Sequence, residues 1–165
     1  QPAEKQIESA MKISLVVIGK TDNKNTSAIV EDYLARINRY IDCRMVVIPD
    51  VKRTMSAELQ KQAEATALLK LIKPDDYLVL LDENGTQFSS REFSAYLNKR
   101  MVSGCKNLVF VVGGPYGFAD QISALARDKI SLSAMTFSHQ MVRAIFTEQL
   151  YRAFSILNNE PYHHD

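Results

Sequence analysis

Four places in the sequence carry residue types that could do chemistry. Gly113-Gly114-Pro115-Tyr116-Gly117 follows an apolar run directly. Glycines there let a backbone approach another body closely and reach angles closed to other residues. Their spacing is neither G-x-G-x-x-G nor a phosphate loop with its Lys-Ser/Thr, so a dinucleotide or nucleoside triphosphate fingerprint is absent and a plain tight turn is the alternative. Leu132-Ser133-Ala134-Met135-Thr136-Phe137 lacks helical periodicity. It reads as an apolar loop packed on the core, or as a ligand wall offering an adenine apolar contact and backbone N–H and C=O groups. In the segment that follows, His139 suits a helix start, Arg143 a solvated helix residue, and Glu148 and Arg152, four apart, a modest surface ion pair. The fourth place is Pro161-Tyr162-His163-His164-Asp165. A terminus usually frays and is compositionally dull; a proline, an aromatic and two histidines after a long amphipathic helix favour function.

The elements that must position these residues alternate. Ile13-Ser14-Leu15-Val16-Val17-Ile18, ended by Gly19, suits a buried parallel strand. Val30, Tyr33, Leu34, Ile37 and Ile41 have helical spacing. Met45-Val46-Val47-Ile48 is a second strand, and a helix over residues 56–72 ends before Pro74. Tyr77-Leu78-Val79-Leu80-Leu81 is a third strand with Asp82-Glu83-Asn84-Gly85 as a turn. Ser89 and Glu92 form a capping box for a helix ending at Gly104. Leu108-Val109-Phe110-Val111-Val112 is the strongest strand signal. A short helix over residues 119–127 follows, and the last, over residues 139–157, buries Val142, Ile145, Phe146, Leu150, Phe154 and Leu157. Such alternation predicts an α/β fold, a mainly parallel sheet with helices on both faces. Ligands of these sheets lie beyond the carboxyl ends of the strands, at Leu81, Gly113 and the residues after Ile130.

The chain of 165 residues suffices for one domain with a sizeable core. Hydrophobic residues at 46% and charged residues at 24% exclude a disordered class. With 20 basic against 19 acidic residues, any nucleic acid must be gripped by a local patch or a dimer groove. Cys43 and Cys105 match no metal or redox spacing and read as small apolar residues of a reducing compartment. Three histidines without a cluster argue against zinc. No apolar run has membrane-helix length, and residues 1–10 lack the apolar stretch of a signal peptide. Met11-Lys12-Ile13 reads as a natural start, leaving residues 1–10 as upstream or added sequence and residues 11–165 as a single cytoplasmic domain.

Several segments occur in a fixed order: Met11-Lys12-Ile13 with Val17-Ile18-Gly19-Lys20, Leu81-Asp82, Val112-Gly113-Gly114-Pro115-Tyr116-Gly117, Leu132 through Phe137 with Ser138-His139, Val142-Arg143, Glu148-Gln149-Leu150-Tyr151-Arg152-Ala153 and Pro161-Tyr162-His163. This set resembles the RlmH family, the ribosomal large-subunit pseudouridine N3-methyltransferases of the SPOUT class, over residues 11–165. Pro115-Tyr116 and Ser138 sit where close relatives carry other residues. The resemblance implies a trefoil knot in the C-terminal part, which general chain-path rules disfavour. It also implies a homodimer that binds S-adenosylmethionine in the knot. The substrate would be N3 of a pseudouridine in helix 69 of 23S rRNA, presented by the assembled ribosome, with no role for DNA, membrane or metal. By position, the cofactor contacts would be Leu81, Gly113, Leu132, Ser133, Ala134, Met135, Thr136 and Phe137.

Methyl transfer from a sulfonium needs positioning and desolvation more than a metal or a covalent nucleophile. The imide N3 must lose its proton, so a nearby cation or general base helps. Candidates are His163, Arg152 and Arg143, with Tyr162 stacking on the base. Phe146, Tyr151 and Phe154 are candidates to serve both core and dimer interface. A non-catalytic RNA- or ribosome-binding factor using Lys52, Arg53, Arg143 and Arg152 is the alternative, and a nucleotide-dependent oxidoreductase is disfavoured by the missing glycine fingerprint.

Overall fold

The computed structural model describes residues 11–51 and 56–164. Residues 1–10, read as an extension, and the basic pair Lys52 and Arg53 lie outside the described residues. Five strands, β1 (Lys12–Ile18), β2 (Asp42–Ile48), β3 (Tyr77–Gln87), β4 (Asn107–Val112) and β5 (Asp128–Ser131), form one sheet in the order β2-β1-β4-β3-β5. Every pairing is parallel.

The near-continuous apolar runs are explained by what covers the sheet. Ile13, Leu15, Val17, Phe110 and Val112 face one core with Ile37, Phe93, Leu97, Phe146 and Leu150. These come from α1 (Lys24–Ile37), α3 (Ser90–Val102) and α5 (Met141–Leu157). Val16, Ile18, Leu78, Leu80 and Val111 face a second core with Ala65, Leu68 and Ile122, from α2 (Ala57–Leu71) and α4 (Asp120–Leu125). Period-two alternation thus sends successive side chains to opposite layers, both apolar. The rings of Phe110 and Phe146 lie 4.7 Å apart, fastening α5 to the centre of the sheet. Cys43 sits in the first core, where burial pushes its thiol up to about 12.

The Ser89–Glu92 capping box is present in both directions, and Ser56 caps α2. Two local readings need correction. Asp82-Glu83-Asn84-Gly85 is not a turn ending the third strand, because β3 continues to Gln87. Leu81 and Thr86 both stand opposite Ile130, so residues 82–85 bulge out between them. Asp82 Oδ1 accepts the Asn84 N–H at 2.9 Å, and Gly85 lets the backbone graze β5: an added Cβ there would lie 2.6 Å from the Lys129 carbonyl carbon. Turn-forming residues here shape a bulge because pairing with β5 resumes after them. The last helix begins at Met141, and Ser138, not His139, receives its first N–H groups: Oγ takes that of Met141 at 3.1 Å and the carbonyl that of Val142 at 3.1 Å.

Candidate active site

Beyond the carboxyl ends of β4 and β5, and beside the bulge of β3, the chain forms a cavity of about 370 Å³. Seven of the eight expected cofactor residues line it: Leu81, Gly113, Leu132, Ser133, Met135, Thr136 and Phe137. Ala134 is exposed on the loop and is not in the wall. Val112, Ile130, Phe118 and Val142 complete an apolar lining, while Asp82, Glu83 and His139 bring charge-bearing groups to it. Sequence reasoning passed over Asp82 and Glu83 as turn residues; the bulge that carries them had no separate sequence signal.

Hydrogen bonds wire the loops. Ser131 Oγ donates to the Ser133 carbonyl at 2.9 Å, the Met135 N–H to Ser133 Oγ at 2.9 Å, and Thr136 Oγ1 to Glu83 Oε2 at 2.6 Å. The last bond ties the bulge of β3 to the loop after β5, so two walls are fixed to each other. In the glycine turn, the Gly117 N–H donates to the Gly114 carbonyl at 3.1 Å, and Gly117 has a φ of +79°, where a side chain would be strained. A Cβ on Gly113 would press on the Phe118 ring at 3.0 Å.

Glu64 of α2, which sequence reasoning missed, backs this turn. It is only 7% exposed, and a Cβ on Gly114 would meet both its carboxylate oxygens, Oε2 at 2.6 Å. Gln60 Nε2 donates to Oε1 at 3.1 Å. Burial raises the carboxyl above its ordinary range, with Asp50 adding to the effect and Gln60 and His139 opposing it. A lone glutamate on a helix has no signature in sequence, so only the packing reveals it.

Arg143 is not a solvated helix residue. It is fully buried, and its fork donates to the carbonyls of Ile18 and Gly19 at 2.8 Å each, to Thr21 Oγ1 at 3.1 Å and to the His139 carbonyl at 3.2 Å. Desolvation lowers its pKa, with Asp22 and Asp50 opposing. It therefore locks the end of β1 to the start of α5, next to the cavity.

The other three catalytic candidates gather elsewhere. Arg152 donates to Glu148 Oε1 at 2.6 Å and lies 3.1 Å from His163 Nδ1. Tyr162 donates to Glu148 Oε1 at 3.1 Å, shares a bond of 3.1 Å with the Tyr33 hydroxyl, and packs edge-on against Tyr151 at 4.7 Å. The Glu148–Arg152 pair is thus a half-buried hub and not merely a surface pair. Burial, then Tyr33 and Glu148, push the Tyr162 phenol well above its ordinary value, so it stays protonated at neutral pH. Val142 at the cavity and Arg152 in this hub are separated by ten residues of α5, about 15 Å along its axis. One chain therefore brings Arg143 beside the cavity, with Tyr162, His163 and Arg152 in a second cluster.

Residues 11–163 match the family model described as "Predicted SPOUT methyltransferase". Similar proteins include the ribosomal RNA large subunit methyltransferases H of Porphyromonas gingivalis, 52% identical over 157 residues, and of Parabacteroides distasonis, 55% identical over 157 residues. In both cases the match covers 94% of this chain and 100% of the relative. A probable methylase family protein from Haemophilus influenzae Rd KW20 shares the fold, with a TM-score of 0.53 at 14% identity over 94% of this chain and 72% of that one. A family match over all the elements described above, with relatives more than half identical over their whole length, shows that the chain belongs to the SPOUT methyltransferases and, among them, to the branch of the ribosomal RNA large subunit methyltransferases H.

Proposed function

We propose that the chain transfers a methyl group from S-adenosylmethionine to N3 of a pseudouridine in helix 69 of 23S rRNA, on the assembled ribosome. The observation that carries the reading is the convergence of the β3 bulge and the loops after β4 and β5 on one cavity of about 370 Å³, walled by seven of the eight residues expected from sequence. Its apolar sides suit an adenine, and the loop backbones supply polar edges. Asp82 and Glu83 suit a ligand bearing positive charge. When bound, the cofactor supplies a methyl already activated by its sulfonium. The chain's residues do the rest: Leu81, Leu132 and Phe137 exclude water, Glu64 backs the glycine turn that the Gly117 N–H closes, and Arg143 ties the end of β1 to the start of α5 beside the cavity.

N3 must lose its proton, and His163 of the tail is the group we assign to that step: its Nδ1, which lies 3.1 Å from Arg152, takes the proton once the substrate displaces that contact, and Arg152 then stands as a cation beside the base. Tyr162, kept neutral, serves as a donor and a stacking ring. Because α5 holds the tail cluster away from its own cavity, the reading calls for a homodimer in which one copy's tail serves the other's cavity. Three large apolar side chains exposed on the loops and helix start around the cavity, Met135 at 77%, Tyr116 at 52% and Met141 at 48%, support such an interface. Phe146 and Phe154 are buried in their own core and are not available for it. We extend the reading to the chain path, with a trefoil knot in the C-terminal part holding the cofactor. Calorimetric titration with S-adenosylmethionine tests the cofactor assignment, and light scattering tests the dimer. Absence of binding, or a monomer at micromolar concentration, contradicts the respective part.

A further inference from the structure

A second cavity, of about 440 Å³, lies at the other end of the sheet, between the starts of β3 and β5 and the end of α3. Tyr77, Arg100, Cys105, Lys106, Arg127 and Asp75 line it. We propose that it is a phosphate site, in which Arg100, Lys106 and Arg127 grip the rRNA backbone away from the methylated base. The proposal rests on the rRNA reading above and adds to it a second point of attachment.

The two tyrosines beneath the cations are held rigidly. Asp128 Oδ2 accepts the hydroxyls of both Tyr77, at 2.6 Å, and Tyr96, at 2.7 Å. On this platform the Arg100 guanidinium sits 4.7 Å from the Tyr77 ring centre and 5.6 Å from that of Tyr96, and Arg127 sits 5.4 Å from Tyr77. The stacking orients two forks at one cavity without using their N–H groups. Among the described residues, none of the three cations forms an ion pair with a carboxylate. Arg100 Nε is buried and has no hydrogen-bond partner. Shut off from solvent, Nε leaves the terminal N–H groups of the Arg100 fork as the ones that can meet a phosphate oxygen in the cavity. Three cations face one lining carboxylate, Asp75, while burial keeps the Cys105 thiol neutral.

Charge and distance agree with this. A chain with 20 basic and 19 acidic residues must draw RNA through a local patch. Tyr77 of this cavity and Leu81 of the first lie four residues apart on β3, about 13 Å, so one folded RNA can touch both. Arg127 and Lys106 are exposed, leaving the cavity accessible to a polymer.

The test is ribosome methylation measured over ribosome and salt concentration for the parent, Arg100→Gln/Arg127→Gln and Lys106→Gln/Arg127→Gln. The second variant changes only exposed residues, so it keeps the test alive if the first does not fold. We expect KM for ribosomes to rise about tenfold, with kcat moving far less and S-adenosylmethionine affinity unchanged. The salt slope of apparent affinity should fall by about one for each phosphate contact removed. Unchanged KM and salt slope in both variants overturn the proposal. Inorganic pyrophosphate that binds the parent at this cavity while both variants keep the parent's KM for ribosomes assigns it to a small anion and overturns the RNA assignment. Should the parent methylate nothing, the enzymatic reading fails, and the salt-dependent binding of a helix 69 stem-loop RNA to the same variants still decides the site.

Discussion

The carboxylate of Glu64 and the α-carbon of Gly114 pack so tightly that a methyl group on Gly114 would come within 2.6 Å of Oε2. Gly114 has no left-handed backbone angle, so the obstacle to a side chain is this carboxylate. Gly114→Ala should weaken S-adenosylmethionine binding about tenfold or more, because the turn must shift where it lines the cavity. Adding Glu64→Ala should restore most of the affinity. Calorimetry on the single and double variants checks this; equal losses in both would show that the contact does not govern the turn.

The same carboxylate gives a pH signature. Its pKa is raised in the folded chain, chiefly by burial, so its ionised form is disfavoured there. The stabilising contribution of the protonated form is complete below its ordinary value near 4.5 and is lost as pH rises through the raised one. Glu64→Gln, which stays neutral, should therefore be at least as stable as the parent at pH 7, and the difference should shrink as pH falls toward that ordinary value. Denaturant melts at several pH values measure it. A difference that grows on acidification contradicts the assignment.

Arg143 should prove structural before it proves catalytic. Arg143→Leu leaves the Ile18 and Gly19 carbonyls buried without their donor and should cost about 3 kcal/mol. Arg143→Lys should recover only part of that, since an ammonium lacks the fork. Thermal melts of both variants decide; an unshifted midpoint for Arg143→Leu would contradict the role.

Removing residues 162–165 should abolish methylation of ribosomes and leave S-adenosylmethionine affinity nearly unchanged. The tail is docked by the bonds of Tyr162 to Tyr33 and Glu148 and of His163 to Arg152, so its loss should also cost about 1–2 kcal/mol of stability. Methylation at the parent rate by the truncated chain would return the proton acceptor to Glu148, with Arg152 beside it as a cation.

Much of this was legible in the residues because it depends on local pattern. The β-branched runs of β1 and β4, the Ser89–Glu92 box and the Pro74 stop each follow from propensity and sterics. The rule that ligands sit at strand carboxyl ends placed Leu81, Gly113 and the loop from Leu132 on one cavity. What could not be read depends on contacts distant in sequence. The bulge at residues 82–85 exists because Thr86 resumes pairing with Ile130. Arg143 is buried because carbonyls some 125 positions earlier receive it, and Glu64 matters because α2 lies against the glycine turn.

The central claim is tested most directly by incubating the purified chain with ribosomes lacking this methyl group and S-adenosylmethionine carrying an isotopically labelled methyl, then locating the label in digested rRNA by mass spectrometry. The account predicts one labelled methyl on N3 of a pseudouridine in helix 69 of 23S rRNA, lost on removal of residues 162–165. Label at another position, or none while calorimetry shows the cofactor bound, would contradict it.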